Sequence, residues 1–167
     1  MLDFVYKTKP YAHQDKVLKD CWSDIDHALF LEMGCGKSKI LLDNIAILYN
    51  KGRIDSALIV APKGVYDNWV SGEIPAHMPE YIKTRIFKWS PSETKKNQAL
   101  RESALENSID LTILVMNVEA FSTLKGTKFA GKFLLGKRVL FAVDESTTIK
   151  SPSASRTKSI VRLSKYA

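Results

Sequence analysis

A glycine-rich turn near the N-terminus contains the side chains with the clearest chemistry. Residues 28–38 read ALFLEMGCGKS, in which an apolar stretch breaks at Gly34 and Gly36. Two glycines let the backbone turn tightly and point its N–H groups at one ligand. Lys37 offers a positive charge to β- and γ-phosphates, and the Ser38 hydroxyl can bind Mg²⁺. The order of residues predicts a strand, then a phosphate-binding loop, then a helix whose positive dipole end reinforces the loop.

A second candidate lies far downstream, where an apolar run ends in two carboxylates. Residues 139–143 read VLFAV and are followed by Asp144 and Glu145. Each feature alone has a simpler interpretation. Leu31 stands where the full G-x-x-x-x-G-K-[ST] pattern has its first glycine, and an Asp-Glu pair after a strand is often a solvated strand end. Together, with room between them for several βα units, they indicate a fold that binds and hydrolyses a nucleoside triphosphate.

The composition is that of one folded domain with a basic surface. The chain has 167 residues, of which 45% are hydrophobic and 26% charged, and its net charge is +7. Such an excess favours a polyanion as partner, nucleic acid above all, although many basic domains have none. No run reaches the length of a membrane span and no signal-peptide core is present, so we expect no membrane association. Cys21 and Cys35 are too few for a disulfide framework, which favours a reduced, cytoplasmic setting.

The remaining pattern supplies the elements that must position these groups. Apolar runs predict strands over 28–31, 57–61, 85–89, 111–116 and 138–143. Helical periodicity and capping signals predict helices over 11–22, 37–49, 65–73, 92–107, from 118 onward, and over 155–165. Strands that are apolar throughout and alternate with helices predict an α/β domain with a mostly parallel sheet covered on both faces. In such sheets a ligand binds beyond the carboxyl ends of the strands, where both motifs lie.

Several ordered motifs closely resemble the first RecA-like domain of superfamily-2 helicases and translocases, nearest to the Swi/Snf-type and phage DEAD/H-box branch. Residues 10–14, PYAHQ, look like the adenine-recognition element of that family, which implies that Gln14 hydrogen-bonds the adenine edge and that Tyr11 or a nearby ring packs on the base. Residues 31–38 resemble the family's phosphate loop, which commonly ends E-M-G-x-G-K-[ST]. The resemblance therefore implies nucleotide contacts along the loop, from Met33, Gly34, Cys35, Gly36, Lys37 and Ser38.

The two acids resemble the D-E-x-x box of the same family. The resemblance implies that Asp144 holds Mg²⁺ through its water shell, with Ser38 as the other metal-binding residue. It also implies that Glu145 orients and deprotonates the attacking water. Lys37, Asp144 and Glu145 are therefore the expected catalytic groups, and ATP and Mg²⁺ the expected cofactors.

Other segments resemble the parts of this family that touch nucleic acid. Residues 57–69, ALIVAPKGVYDNW, look like the segment after the second strand, in which Pro62 and Lys63 would meet a phosphate. We interpret Trp69 in this segment as a packing residue rather than a base-stacking one. Residues 116–119, MNVE, resemble an N-x-E motif and imply a contact from Asn117. The basic stretch after the acids also resembles the family and implies contacts from Lys150 and Arg156, with a charged, solvated helix as the competing interpretation.

The resemblance implies that residues 1–167 form the N-terminal, ATP-binding lobe of an ATP-dependent DNA helicase or translocase, with a second RecA-like domain outside this chain. Arginine fingers normally come from that second domain and raise turnover by roughly 10³–10⁵. The lobe alone is thus expected to bind nucleotide and to hydrolyse it very slowly. Alternatives are an RNA-directed ATPase of the same superfamily and a non-catalytic interaction module that keeps the fold. A P-loop kinase is disfavoured by the second carboxylate.

Overall fold

A four-stranded, all-parallel sheet forms the centre of the molecule. The structure, a computed structural model, describes residues 4–24 and 26–167. The strands are β1 (Ser56–Ala61), β2 (Thr84–Lys88), β3 (Leu111–Asn117) and β4 (Val139–Val143). Their order across the sheet is β2-β3-β1-β4, and all three pairings are parallel. These four strands confirm the predicted strands after residue 50 to within two residues at each end.

Helices connect the strands as the α/β prediction requires. They are α1 (Ala12–Cys21), α2 (Lys37–Asn50), α3 (Tyr66–Asn68), α4 (Ile74–His77), α5 (Lys95–Leu105), α6 (Leu124–Leu134) and α7 (Ser155–Ser164). A π-helical turn (Trp69–Glu73) joins α3 to α4, and 3₁₀ turns occupy Val118–Ser122 and Ser146–Ile149. Over the described ranges, none of the helices combines the length and the hydropathy that crossing a membrane requires.

The two faces of β1 pack against different helices, because successive side chains of a strand point to opposite sides. Ala57, Ile59 and Ala61 lie in a core with the apolar residues of α2 and with Trp69 and Ile74. Leu58 and Val60 lie in a second core with residues of α6 and α7. All six residues of β1 are buried, as expected for a central strand of a sheet covered on both sides.

Local chemistry sets several helix ends. Gly36, at φ 73°, precedes α2, and Gly52, at φ 65°, follows it, so glycines in the left-handed region bracket this helix. The predicted helix over 92–107 is shorter, because the Thr94 side chain, not the earlier serines, accepts the hydrogen bond from Asn97 N that begins α5. The predicted helix over 65–73 widens into the π-helical turn, in which Ile74 N donates to Trp69 O. Pro75 has no N–H to continue the ordinary α-helical pattern there.

The prediction of a first core strand over 28–31 is wrong. These residues form no strand, and the sheet consists of four strands with β2 and β4 at its edges. Leu29 and Leu31 are partly buried against residues of α1 and α2, whereas the Phe30 side chain is 93% exposed. The segment keeps the alternation of an extended chain, but it has no neighbouring strand with which to form backbone hydrogen bonds.

Candidate functional site

The carboxyl ends of three strands bring several candidate residues to one edge of the sheet. In the register of the sheet, Ala61 pairs with Asn117 and Val60 with Val143. Asp144 continues this ladder, because its N–H donates to Val60 O at 2.7 Å. Pro62, Asn117 and Asp144 therefore lie side by side at the edge where parallel α/β sheets bind ligands.

Helix α2 begins toward this same carboxyl edge of the sheet. Its last turn lies at the opposite, amino edge, because Arg138, directly before β4, donates from Nη1 to Gly52 O just after the helix. A 14-residue helix is about 21 Å long, roughly the span of a six-residue strand. Since α2 packs along β1, its first residues, Lys37 and Ser38, are directed toward the carboxyl edge.

The glycine-rich loop has the backbone conformation that the sequence suggested. Gly34 and Gly36 adopt φ values of 82° and 73°, in the left-handed region that favours glycine. A Cβ on Gly36 would also lie only 2.2 Å from Gln14 Nε2, so a larger residue there would have to displace the Gln14 amide. Successive N–H groups in such a loop form a concave anion site, and the first N–H groups of α2 have no partner within the helix.

The Lys37 ammonium group lies inside the loop. Its Nζ donates to Leu31 O at 2.9 Å and to Glu32 O at 3.0 Å. The lysine is half-buried, and the adjacent Ser38 is half-buried too. The ammonium group is thus held by neutral carbonyls of its own loop, and neither of the two contacts neutralises its charge.

The start of α1 is attached directly to the phosphate loop. The Gln14 side chain is buried; its Oε1 accepts from Tyr11 N at 2.9 Å, and its Nε2 donates to Cys35 O at 3.2 Å. His13 Nε2 lies 3.1 Å from the same carbonyl oxygen. The predicted adenine element and the loop are therefore neighbours. His13 adjoins Gln14 in the motif, but the sequence alone indicates no role for it.

The two acids have very different environments. Asp144 is half-buried, and its Oδ2 accepts a hydrogen bond from Trp69 Nε1 at 2.9 Å. Glu145 is exposed and, among the described residues, is the one non-glycine with positive φ, at 51°. Thr148 donates to the Glu145 carbonyl oxygen from both its N–H and its hydroxyl, which stabilises that conformation. Strained backbone of this kind is often kept at functional positions.

The structure does not join the two halves of the site by a direct contact. Within residues 4–24 and 26–167, no hydrogen bond or ion pair links Lys37 or Ser38 to Asp144 or Glu145. Met33 and Tyr11 project into solvent near the loop. A ligand that contacted the loop and the acids together would have to span the space between them.

The candidate nucleic-acid residues differ in their exposure and in the contacts that they already make within the chain. Lys63 and Lys150 are exposed and follow β1 and β4, so both could reach an external phosphate. Asn117 instead uses its side chain to accept from Ala120 N at 3.0 Å, which caps a 3₁₀ turn. Arg156 is half-buried, and its Nε has no hydrogen-bond partner within the part of the chain that the structure describes. Pro62 ends β1, and its carbonyl accepts from the next turn.

A buried ion pair lies on α2, one turn beyond the loop. Lys39 Nζ and Asp43 Oδ2 are 2.6 Å apart, with side-chain exposures of 7% and 1%. Burial raises the pKa of Asp43, and Lys39 opposes that shift. The Tyr6 ring lies 5.3 Å from Lys39 Nζ. Burial, followed by the charges of Asp15 and Asp43, raises the pKa of Tyr6 to about 12.

Comparisons with known proteins bear on the fold. No protein-family model matches this chain, and none of the curated proteins matches it significantly. Among solved structures, the chain is similar to the Sulfolobus solfataricus SWI2/SNF2 ATPase core in complex with dsDNA, with a TM-score of 0.56 and 11% sequence identity. The match covers 95% of this chain and 36% of that one. At this identity the likeness establishes the fold alone, which is an α/β domain of the RecA-like type, as predicted.

Proposed function

We propose that this chain is the ATP-binding lobe of an ATP-dependent DNA translocase or helicase. The observation that carries the proposal is the glycine loop at the start of α2, directed toward the edge of the sheet where Asp144 and Glu145 follow β4. A RecA-like sheet, a loop with two left-handed glycines and a pair of acids at the strand ends form a combination suited to triphosphate chemistry.

The residues present fit a nucleotide and its metal. Gly34 and Gly36 turn the loop tightly just before α2, and the Lys37 ammonium group already lies against the loop, on the Leu31 carbonyl. Ser38 and Asp144 are hard oxygen donors of the kind that Mg²⁺ prefers. When bound, Mg²⁺ would neutralise phosphate charge and polarise the γ-phosphate.

Each group of this chain then has a defined task. The loop N–H groups and Lys37 would bind the β- and γ-phosphates, and Ser38 and Asp144 would hold the metal. Glu145 would orient the attacking water and accept its proton. Gln14 and Tyr11 would receive the adenine, next to the loop carbonyl of Cys35 that Gln14 already contacts.

Several features favour nucleic acid, and DNA in particular, as the track. The net charge is +7, and two lysines are exposed: Lys63 shortly after β1, and Lys150 at the end of the 3₁₀ turn that follows β4. The structural neighbour is a SWI2/SNF2 ATPase core bound to dsDNA. That chain is longer than this one, and a second RecA-like domain would supply the rest of the γ-phosphate site. The lobe alone should bind nucleotide and turn it over very slowly.

The test is a titration with a fluorescent ATP analogue, with and without Mg²⁺, on the wild-type chain and two lysine variants. Lys37→Ala should weaken binding at least about tenfold, because a charge-assisted contact to phosphate is lost. Lys16→Ala removes the same charge from an exposed position on α1 and should leave binding unchanged. Equal affinities for Lys37→Ala and wild type, or no Mg²⁺-dependent binding by wild type, would refute the proposal and favour a non-catalytic module.

A second measurement separates the DNA and RNA alternatives. Fluorescence anisotropy with double-stranded DNA, single-stranded DNA and RNA of equal length, at one ionic strength, should give the tightest binding to double-stranded DNA. The Lys63→Ala/Lys150→Ala variant should bind all three more weakly and with a shallower salt dependence, because phosphate contacts release counterions. Tighter binding to RNA would overturn the assignment to DNA.

A further inference from the structure

A hydrogen bond across 75 positions of the chain connects Trp69 to Asp144. The indole Nε1 donates to the carboxylate Oδ2 at 2.9 Å, and the Trp69 side chain is 1% exposed. We infer that Trp69 is the positioning residue for Asp144: it fixes the orientation of the carboxylate that presents its oxygen to the metal. The inference rests on the proposed function, because it assigns Asp144 to Mg²⁺.

An indole is chemically suited to this task. It is a donor only, so it can hold one carboxylate oxygen without competing as a ligand. It is also neutral, so it leaves the negative charge of Asp144 available to a cation, whereas a lysine or arginine at this place would offset it. Elsewhere in the described ranges, no side chain donates to this carboxylate, so its side-chain orientation depends on Trp69.

The position of the indole is itself fixed by the fold. Trp69 is packed in the core between α2 and the sheet, with residues of β1 and β3. It also begins the π-helical turn, whose irregular hydrogen bond runs from Ile74 N to Trp69 O. Such turns occur frequently at functional positions. Removing the hydrogen-bond partner of a metal-binding residue typically lowers metal affinity or activity 10- to 100-fold.

A purely structural explanation must be separated from this one, because buried indole N–H groups usually find some acceptor. Trp69→Phe removes the N–H and keeps most of the aromatic volume. Trp89→Phe is the matched control: Trp89 is also buried, but it packs on Phe129 in the core on the other face of the sheet. For each variant, the Mg²⁺ concentration for half-maximal binding of the fluorescent ATP analogue is measured, together with the affinity in EDTA.

We expect Trp69→Phe to raise the Mg²⁺ requirement roughly tenfold or more and to leave the EDTA affinity unchanged. Trp89→Phe should change neither. If the two variants alter the Mg²⁺ requirement equally, or Trp69→Phe does not alter it, Trp69 merely fills the core and the inference is wrong. If the wild-type chain binds no Mg²⁺–nucleotide at all, the proposed function is wrong, and so is the role of Trp69 that depends on it.

A spectroscopic measurement keeps the inference testable if Trp69→Phe does not fold. The chain has three tryptophans, so ¹⁵N-indole labelling gives three N–H signals. Asp144→Asn replaces the charged acceptor by a neutral one and should shift the Trp69 signal upfield, while the other two stay in place. Adding Mg²⁺ with the ATP analogue should move the same signal in the wild type and not in Asp144→Asn. A Trp69 signal that does not respond to Asp144→Asn would overturn the assignment.

Discussion

Removing Lys39 from the buried Lys39–Asp43 pair should give a variant whose stability falls as pH rises, and removing both partners should abolish that trend. Both side chains are almost completely buried, and Asp43 Oδ1 has no hydrogen-bond partner within the part of the chain that the structure describes. Removing one partner leaves an uncompensated buried charge, which typically costs about 3–5 kcal/mol. Replacing both by apolar residues of similar volume, as in Lys39→Met/Asp43→Leu, should cost far less than either single change.

The sign of this pH dependence follows from proton linkage. In Lys39→Met the buried carboxylate loses the one lysine that opposes the rise in its pKa, so the folded state holds its proton to higher pH than the unfolded state does. The folded state then binds more protons, and stability falls as pH rises above the unfolded carboxyl value of about 4. In Lys39→Met/Asp43→Leu the buried carboxyl is absent, so this pH dependence should disappear. The slope in Lys39→Met can reach about 1.4 kcal/mol per pH unit.

The assay is urea unfolding of wild type, Lys39→Met, Asp43→Leu and Lys39→Met/Asp43→Leu. It covers about pH 5.5 to 8.5, close to the range in which most folded proteins are stable. Each stability is expressed relative to wild type at the same pH. Lys19→Met is the control, because Lys19 and Asp15 have the same i,i+4 spacing and the same 2.6 Å separation but side-chain exposures of 52% and 32%. Its effect should stay within about 0.5 kcal/mol and not vary with pH. A slope for Lys39→Met that is no steeper than the slope for Lys39→Met/Asp43→Leu would refute the reasoning.

Two further expectations follow from local geometry. In α6, Gly126→Ala should destabilise the fold by about 1–3 kcal/mol in thermal unfolding, because its Cβ would lie 2.3 Å from the backbone oxygen of Ala120. Gly131→Ala makes only an ordinary van der Waals contact and should raise stability by about 0.4–1 kcal/mol in the same experiment. Tyr6→Phe should remove the component near pH 12 from a spectrophotometric tyrosine titration. The stability that the raised Tyr6 pKa confers is present below about pH 10 and lost as pH rises through 12, so the advantage of wild type over Tyr6→Phe should shrink in that window; a constant difference would contradict this.

The parts of the fold that sequence could predict are those whose signals are local. Strands β1 and β3 are six and seven residues long and mostly apolar, and a breaker, Pro62, directly follows the first. Helix α2 begins and ends beside glycines that adopt left-handed conformations, so its bounds were predicted to within one residue. Each of these features depends on a few adjacent residues, and local chemistry was enough to define it.

The segment over 28–31 shows where local signals fail. Its apolar residues indicate that burial is favourable, but a strand also needs a neighbour that supplies backbone hydrogen bonds. Sequence gives no measure of that neighbour, and here the edge strand β4 does not pair with the segment. Leu29 and Leu31 therefore find apolar contacts with the helices, while Phe30 stays in solvent.

For the candidate site, too, sequence predicts the local features and does not predict the contacts between distant residues. Residue types and spacing were enough to nominate Lys37, Asp144 and Glu145, because phosphate and metal chemistry demands those groups. The partners of these groups come from other parts of the chain: the Asp144 carboxylate is held by Trp69, which the sequence suggested only as a packing residue. Because Trp69 belongs to the segment that begins at Pro62 and Lys63, any shift of that segment toward a nucleic acid would act on the carboxylate through this one hydrogen bond. In the proposed translocase, this hydrogen bond connects the candidate nucleic-acid segment to the candidate metal-binding carboxylate. It is a specific pair of atoms that mutation can test, and the motifs alone do not identify it.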